Sequence, residues 1–179
     1  MLPARRVAAA ALVASVGLGL AACSDVEPAP DREGVFAFGE ENWLEAPGWV
    51  EAQASEIEMV GADFGIAANE GEDPGAQIFI EVYESEHSGE SNRDERSRDI
   101  SQVWRGETWD IGTLDVDGYE GHGLSYEIIE PDRVVEEYYF DGDSSIYRVL
   151  IEAPKDAQRE GLDSARRILA EHTVLNDAQ

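Results

Sequence analysis

The segment from Trp109 to Ala153 is a run of strands separated by very short turns. Its apolar and aromatic residues alternate with polar ones over lengths that are typical of strands. The predicted strands are Trp109–Val116, Tyr119–Glu130, Val134–Phe140 and Ile146–Ala153. Between them lie Asp117-Gly118, Pro131-Asp132 and Asp141-Gly142-Asp143-Ser144, which favour tight reversals because Asp, Gly and Pro suit turn geometry. Neither face of the last two strands is uniformly polar, so we expect layers on both sides.

More strands and a helix are predicted before this run. They are the strands Val35–Phe38, Asp63–Asn69 and Gln77–Glu84, one or two short strands within Trp49–Met59, and the helix Arg93–Arg105. The sequence Asn69–Gly75 is a turn by its Asx, Gly and Pro content. Asn92 is the predicted N-cap of the helix. Its apolar residues Ile100, Val103 and Trp104 share one face, and we expect the rest of the helix to be solvated.

A second helix is predicted at the C-terminal end of the chain. Pro154 is its expected first residue, since proline is tolerated in the first turn. Its buried stripe is predicted to be Leu162, Ala165, Ile168, Leu169 and His172. Thr173–Leu175 then either adds a short final strand or packs without one.

The N-terminus has the pattern of an export signal. Arg5 and Arg6 precede an apolar stretch, Val7–Leu20, that is too short to span a bilayer. The stretch ends in Leu20-Ala21-Ala22-Cys23, which resembles a bacterial lipobox with cleavage between Ala22 and Cys23. A cysteine suits this position because its thiolate is the nucleophile that takes the lipid. Residues 1–22 are therefore predicted to be a lipoprotein signal peptide; the alternative is an ordinary secreted protein with one stray cysteine.

The charge of the exported chain limits the classes of molecule that it is expected to bind. Its formal net charge is −26, and loss of the two signal arginines changes it to −28. Such a charge disfavours nucleic-acid binding, since no basic patch exists to neutralise phosphates, and it disfavours lying on an anionic lipid surface. It is explained either by solubility or by a surface that attracts cations. Residues 23–34 are predicted to be the lipidated cysteine and a Pro-rich tether, followed by a single α+β domain over residues 35–179.

The order of the predicted elements resembles that of a known group of proteins. The segments concerned are Asp117-Gly118-Tyr119-Glu120-Gly121-His122-Gly123 leading into Leu124–Glu130, then Tyr138–Phe140, Tyr147–Ile151 and Ala165–Leu169. Over roughly residues 45–175 the chain resembles the PsbP/LpqN-like group. The resemblance implies an α+β fold, with an antiparallel β-sheet flanked by helices on both faces as an α/β/α sandwich. It also implies an actinobacterial-type surface lipoprotein, in agreement with Cys23, and no shared catalytic residues. The chain departs from the plant PsbP side of the group, since nothing in it implies a photosystem.

Four residues are candidates for ligand binding: Trp49, Trp104, Trp109 and His122. Tryptophans can line a groove for a lipid or a sugar, although most lie in or beside a core. His122 could be a ligand or a general base, or a hydrogen-bonded histidine at the edge of the core.

Other chemistry-bearing residues fit recognised motifs poorly. His87 lies in an acidic loop, but a zinc site needs three or four converging ligands. Asp115 and Asp117 resemble part of a calcium loop, yet Leu124 stands where such a loop needs glutamate. Ser125 begins like a nucleophile elbow, but Glu127 occupies the position of the second glycine.

The sequence therefore predicts a membrane-anchored, extracytoplasmic acidic lipoprotein without enzymatic activity, cofactor or metal site. Its expected role is a protein-binding or scaffolding module of the cell envelope with an envelope protein as partner. The alternative is a carrier or sensor that binds a small envelope ligand, lipid or glycan, in a groove between sheet and helices. An enzyme is the third and weakest possibility.

Overall fold

A computed structural model describes residues 32–38, 42–68, 75–129, 132–143 and 145–175. The predicted signal peptide, the lipidation site Cys23 and the tether up to Asp31 lie outside these residues, as does most of the predicted Asn69–Gly75 turn. The helices are α1 (Ala54–Val60), α2 (Gly89–Gln102) and α3 (Gln158–His172). The strands are β1 (Val35–Phe38), β2 (Asn42–Glu45), β3 (Trp49–Glu51), β4 (Phe64–Ala68), β5 (Gln77–Tyr83), β6 (Thr108–Val116), β7 (Tyr119–Ile128), β8 (Arg133–Asp141), β9 (Ile146–Pro154) and β10 (Thr173–Val174).

Seven of the strands form one antiparallel sheet in the order β3-β4-β5-β9-β8-β7-β6. The run β6 to β9 is a meander of sequential neighbours, as its short turns predicted. β1, β2 and β10 form a second, three-stranded antiparallel sheet. In the predicted tether, Arg32 pairs with Glu45, and the Gly34 carbonyl accepts a hydrogen bond from the Ala46 N–H at 2.7 Å.

Helices cover both faces of the large sheet, which confirms the α+β fold. On one side, here called the α3 face, the apolar stripe of α3 packs against Ile78, Tyr138 and Val149. On the other, the α2 face, Phe79, Tyr139 and Leu150 pack with Ile100 of α2 and Ile57 of α1. Because successive strand residues point to opposite faces, the central strand β8 is buried on both sides.

The small residues of β7 have a specific packing role. A Cβ added to Gly121 would lie 2.4 Å from the ring of Phe140, and one added to Gly123 would lie 2.7 Å from the ring of Tyr138. The aromatic rings of the neighbouring strand β8 therefore lie directly over these glycines. Glycine in a strand often marks such a close approach, and the approaching groups here come from β8.

Several predicted element boundaries are wrong. Only Trp49–Glu51 of the predicted strands in Trp49–Met59 is a strand, because Ala54–Val60 is helical. The helix signal was the spacing of Gln53 and Glu56: the Glu56 carboxylate accepts a hydrogen bond from the Gln53 N–H at 3.0 Å. At its other end, Gly61 ends α1 in the left-handed conformation, with φ 69°.

Helix α2 begins and ends earlier than predicted. Ser88 is its N-cap, and the Asn92 amide instead donates to the carbonyls of His87 and Ser88. Because α2 ends at Gln102, Val103 and Trp104 lie beyond it and are 70% and 64% exposed.

Helix α3 begins later than predicted, and one residue of its predicted stripe is not buried. Pro154 ends β9 and α3 begins at Gln158. His172 is exposed at the end of α3, whereas the other residues of the predicted stripe are buried. Thr173 and Val174 do form a strand, which pairs with β2.

Candidate functional site

A buried carboxylate lies at the centre of the α2 face. Glu137, in the middle of β8, has no exposed surface. Its Oε1 accepts hydrogen bonds from the Tyr126 hydroxyl at 2.6 Å and from Arg148 Nη2 at 3.0 Å. Its Oε2 accepts one from the Tyr139 hydroxyl at 2.6 Å, and Arg96 Nη2 reaches Oε1 at 3.2 Å. We call these five residues the Glu137 network.

Electrostatics keep this network in one protonation state. Burial alone raises the pKa of Glu137, but Arg148 and Arg96 outweigh it and lower the pKa to about 2. Burial, and then the charge of Glu137, raise the pKa of Tyr126 and of Tyr139. At neutral pH the carboxylate is therefore ionised, and both phenols remain hydrogen-bond donors.

The Glu137 network attaches α2 to the sheet. Ile100 is the only apolar side chain that α2 buries. The helix is instead held by polar contacts, since Arg96 reaches Glu137 and Arg93 pairs with Asp110 at 2.9 Å. The Gly89 N–H also donates to Asp141 Oδ1 at 2.7 Å. The expectation that the charged residues of α2 are solvated is wrong for Arg93 and Arg96.

One signal in the sequence could have found this network. Glu136-Glu137 interrupts a strand whose other residues are mostly apolar or aromatic, and an acid inside a buried strand requires a paired cation. The groove above the network has a volume of about 250 Å³. It is lined by Glu81, Tyr83, Asn92, Glu95, Arg96, Asp99, Tyr139 and Arg148. Because both Glu137 oxygens already accept hydrogen bonds, we interpret the network as structural.

A larger cleft lies at the other end of the sheet, on the α3 face. It has a volume of about 910 Å³ and separates the N-terminal half of α3 from the ends of β3, β4 and β9. It is lined by Trp49, Ala68, Gly75, Ala76, Pro154, Lys155, Asp156, Ala157, Gln158, Arg159, Glu160, Gly161, Asp163, Ser164 and Arg167. We call it the α3 cleft.

The inner end of the α3 cleft is set by a close helix–sheet contact. A Cβ on Gly161 would lie 2.9 Å from the Cβ of Ala153 and 3.3 Å from that of Ala76. Glycine therefore lets α3 approach the sheet closely at this point, although it weakens a helix by about 1 kcal/mol relative to alanine. Trp49 packs its ring partly against the core under α3 and contributes the aromatic wall.

Three cations line the α3 cleft. Lys155 pairs with Glu127 at 2.7 Å, and Asp132 lies 3.9 Å away. Arg159 and Arg167 are exposed, and neither makes a hydrogen bond or ion pair with any residue that the structure describes. Both guanidinium groups are thus available to a ligand.

The four predicted ligand-binding residues do not share one site. Trp49 lines the α3 cleft. Trp109 lies on β6, at the opposite edge of the sheet from β3, about 28 Å away by strand spacing. Trp104 lies beyond α2, with the Arg96 guanidinium 5.0 Å from its ring centre. His122 is half-buried on β7, between Thr113 and Tyr139 of the flanking strands. Ligand binding by Trp104, Trp109 and His122 stays a prediction.

The remaining motif residues have ordinary contacts. Ser125 is buried and its hydroxyl donates to the Val135 carbonyl at 2.9 Å, so it is not placed as a nucleophile. In the described parts of the chain, no group of three or more His, Cys, Asp and Glu side chains is arranged to hold a metal ion. Nor is any helix there both long enough and apolar enough to cross a bilayer.

Comparison with known proteins identifies the fold. No protein-family model matches the chain, and no curated protein matches its sequence. Its structure is similar to the solution structure of cyanobacterial PsbP (CyanoP) from Synechocystis sp. PCC 6803, with 12% identity, a TM-score of 0.53, and coverage of 88% of this chain and 99% of that one. It is also similar to the crystal structure of LpqN, involved in cell envelope biogenesis of Mycobacterium tuberculosis. That match has 15% identity, a TM-score of 0.56, and coverage of 82% of this chain and 91% of that one. The chain therefore has the PsbP/LpqN-like fold.

Proposed function

We propose that the protein is a membrane-anchored, extracytoplasmic lipoprotein that binds a small envelope ligand in the α3 cleft without transforming it. This is the carrier or sensor role that the sequence left as an alternative. The observation that carries it is the α3 cleft itself, about 910 Å³ in volume and walled by Trp49. The volume lies within the range of about 300–1,000 Å³ that is typical of small-molecule sites, and the largely polar lining beside Trp49 suits a polar ligand.

Location supports an envelope ligand. The lipobox-like Leu20-Ala21-Ala22-Cys23 predicts a lipid on Cys23, and two or three acyl chains make a stable anchor. The eight residues from Ser24 to Asp31, which precede the part of the tether that contacts the domain, could extend at most about 26–29 Å and would hold the domain close to the membrane. LpqN, which shares the fold, is described as involved in cell envelope biogenesis.

Native mass spectrometry of the full lipidated protein, purified in detergent from its own membranes, tests the proposal. We expect a bound small molecule in the wild type, and its loss from Trp49→Ala. Met59→Ala is the control, since Met59 is an exposed apolar residue on α1 that does not line the α3 cleft. Absence of a ligand across several preparations, or equal retention by Trp49→Ala, would contradict ligand binding in the α3 cleft.

The scaffolding role remains a second candidate because of one surface feature. Val103 and Trp104 are adjacent, apolar and 70% and 64% exposed. Exposed aromatic residues are enriched at protein interfaces. Crosslinking in living cells with the lipidated protein as bait would test this role: a reproducible partner that Trp104→Ala loses supports it, and a partner list unchanged by Trp104→Ala counts against it.

A further inference from the structure

We infer that the α3 cleft recognises an anionic saccharide, a sugar-like ring that carries phosphate or carboxylate, through Arg159, Arg167 and Trp49. The inference rests on the proposed function and names the chemical class of its ligand. A free glycan and the headgroup of a glycolipid share this chemistry.

The two arginines of the α3 cleft have no carboxylate partner among the described residues, although the chain is rich in acids. The chain has 39 Asp and Glu residues against 13 Lys and Arg, so most cations should find a carboxylate partner. Arg96, Arg133 and Arg148 do so. Arg159 and Arg167 do not, among the residues that the structure describes, and neither do Arg98 and Arg105. Of these four arginines, only Arg159 and Arg167 line the α3 cleft. Unpaired guanidinium groups present planar donor forks that match phosphate and carboxylate oxygens.

The two arginines are well separated along the cleft. They lie eight residues apart on α3, which is about 12 Å along the helix axis. Flexible side chains at both positions could meet one or two anionic groups on a ligand larger than a single phosphate. Trp49 adds a flat aromatic surface to the same cleft, and such a surface suits the face of a sugar ring.

Acids in the lining of the α3 cleft limit the charge that a ligand can carry. Asp156, Glu160 and Asp163 also border the α3 cleft; among the described residues only Asp163 has an ion-pair partner, Arg166 at 3.0 Å. A strongly charged polyanion would meet these carboxylates as well as the arginines. A largely neutral sugar body with one or two charges avoids this conflict. More distant acids matter less, because charges are screened over about 8 Å at physiological ionic strength.

Binding of three soluble probes to the full lipidated protein in detergent tests the inference. The probes are inositol, inositol 1-phosphate and dihexanoyl phosphatidylinositol, and isothermal titration calorimetry measures their Kd values. We expect the two phosphorylated probes to bind measurably more tightly than inositol. Arg159→Gln and Arg167→Gln should each weaken the phosphorylated probes about threefold to fivefold, as expected for exposed ion pairs, and leave inositol unchanged.

Arg98→Gln is the matched control, because Arg98 is an exposed arginine on α2 that contacts only the Asp94 carbonyl. A tighter Kd for the phosphatidyl probe than for inositol 1-phosphate would indicate a lipid headgroup as the source, and equal values a free sugar. Equal binding of neutral and charged probes, lost in Trp49→Ala, would overturn the inference and leave the proposed function intact. Charged probes that bind Arg159→Gln and Arg167→Gln as well as the wild type would also overturn it. If native mass spectrometry finds no ligand on the wild-type protein, that result would contradict both the inference and the proposed function.

Discussion

The Tyr139 hydroxyl donates a 2.6 Å hydrogen bond to the carboxylate of Glu137, two residues earlier on the same face of β8. Two neighbouring residues on one face of β8 thus form a buried pair, in which the neutral Tyr139 hydroxyl donates to the ionised Glu137 carboxylate. Arg148 approaches from β9 and Arg96 from α2, so one carboxylate joins two strands and a helix. The integrity of the α2 face consequently depends on Glu137.

Replacing Glu137 by alanine should destabilise the protein by about 3–5 kcal/mol, because Arg96 and Arg148 would lose the buried carboxylate that compensates their charges. Denaturant unfolding followed by circular dichroism measures this loss. Glu120→Gln, at an exposed position on β7, is the control and should change the free energy of unfolding by less than about 0.5 kcal/mol. A Glu137→Ala variant as stable as the control would mean that the network does not support the fold.

Stability should fall in acid because of the same residue. The folded pKa of Glu137 is about 2, below its ordinary value of 4.5, so its stabilising contribution is fully present above about pH 4.5. The contribution is lost as the pH falls from 4.5 towards 2, and amounts to about 3 kcal/mol.

Unfolding free energies measured across this pH range in wild type and Glu137→Gln check the assignment. The variant should show a flatter slope between pH 4.5 and 2. Glu152 is a useful contrast, since its burial, only partly offset by Arg133, raises its pKa. Replacing Glu152 should therefore not flatten the dependence of the unfolding free energy on pH between 4.5 and 2. Equal slopes in wild type and Glu137→Gln would refute the role of Glu137.

Removing the Tyr139 hydroxyl should cost about 1.5–3 kcal/mol, the usual range for a hydrogen bond to a charged group. It should also raise the pKa of Glu137, because the ionised carboxylate loses a donor. Thermal unfolding of Tyr139→Phe measures the first effect. Tyr83→Phe is the control: that hydroxyl makes only a 3.3 Å hydrogen bond to the neutral Asn92, and its loss should cost less than about 1.5 kcal/mol.

A methyl group on Gly123 should destabilise the sheet by about 1–3 kcal/mol through overpacking. It would lie 2.7 Å from the Tyr138 ring and 2.8 Å from Ile111, so β6, β7 or the ring would have to move. Chemical denaturation of Gly123→Ala tests this, and reduced dispersion of aromatic resonances would locate the change. Full stability would show that Tyr138 can rotate away without cost.

Cys23→Ala should release the protein from the membrane fraction, because the predicted lipid is its only expected anchor. Fractionation with immunoblotting measures the shift, and Ser24→Ala serves as the neighbouring control. Continued retention of Cys23→Ala on membranes would mean that something other than this cysteine holds the protein there.

The sequence predicted the strands of the meander well and the helix ends poorly. Turn residues such as Asp117-Gly118 act locally, so β6 and β7 could be read without knowing their neighbours. The short helix α1 was missed because its Gln53–Glu56 capping signal is weaker than the β-branched and aromatic residues around it. Val103 extends the apolar pattern of α2, but the helix ends before it.

The sequence analysis named one residue of the α3 cleft and missed others. Trp49 lines the α3 cleft between sheet and helix, and its role in ligand binding stays a prediction. Arg159 and Arg167 were passed over because they lie on the polar face of α3, where an arginine is ordinarily a solvated residue. Only the fold shows that Arg159 and Arg167 line a cleft, because the ends of β3, β4 and β9 lie opposite them.

The sequence by itself determined the alternation of buried and exposed strand residues, the tight turns, and the α+β character with cover on both faces. These properties depend on neighbours within a few residues. Only the tertiary structure decided that β5 pairs with β9, and that Arg96 meets Glu137 across 41 residues of chain. Such contacts depend on the order of strands in the sheet, which local patterns do not encode. The same packing decides whether an acid such as Glu137 is solvated or buried with two arginines.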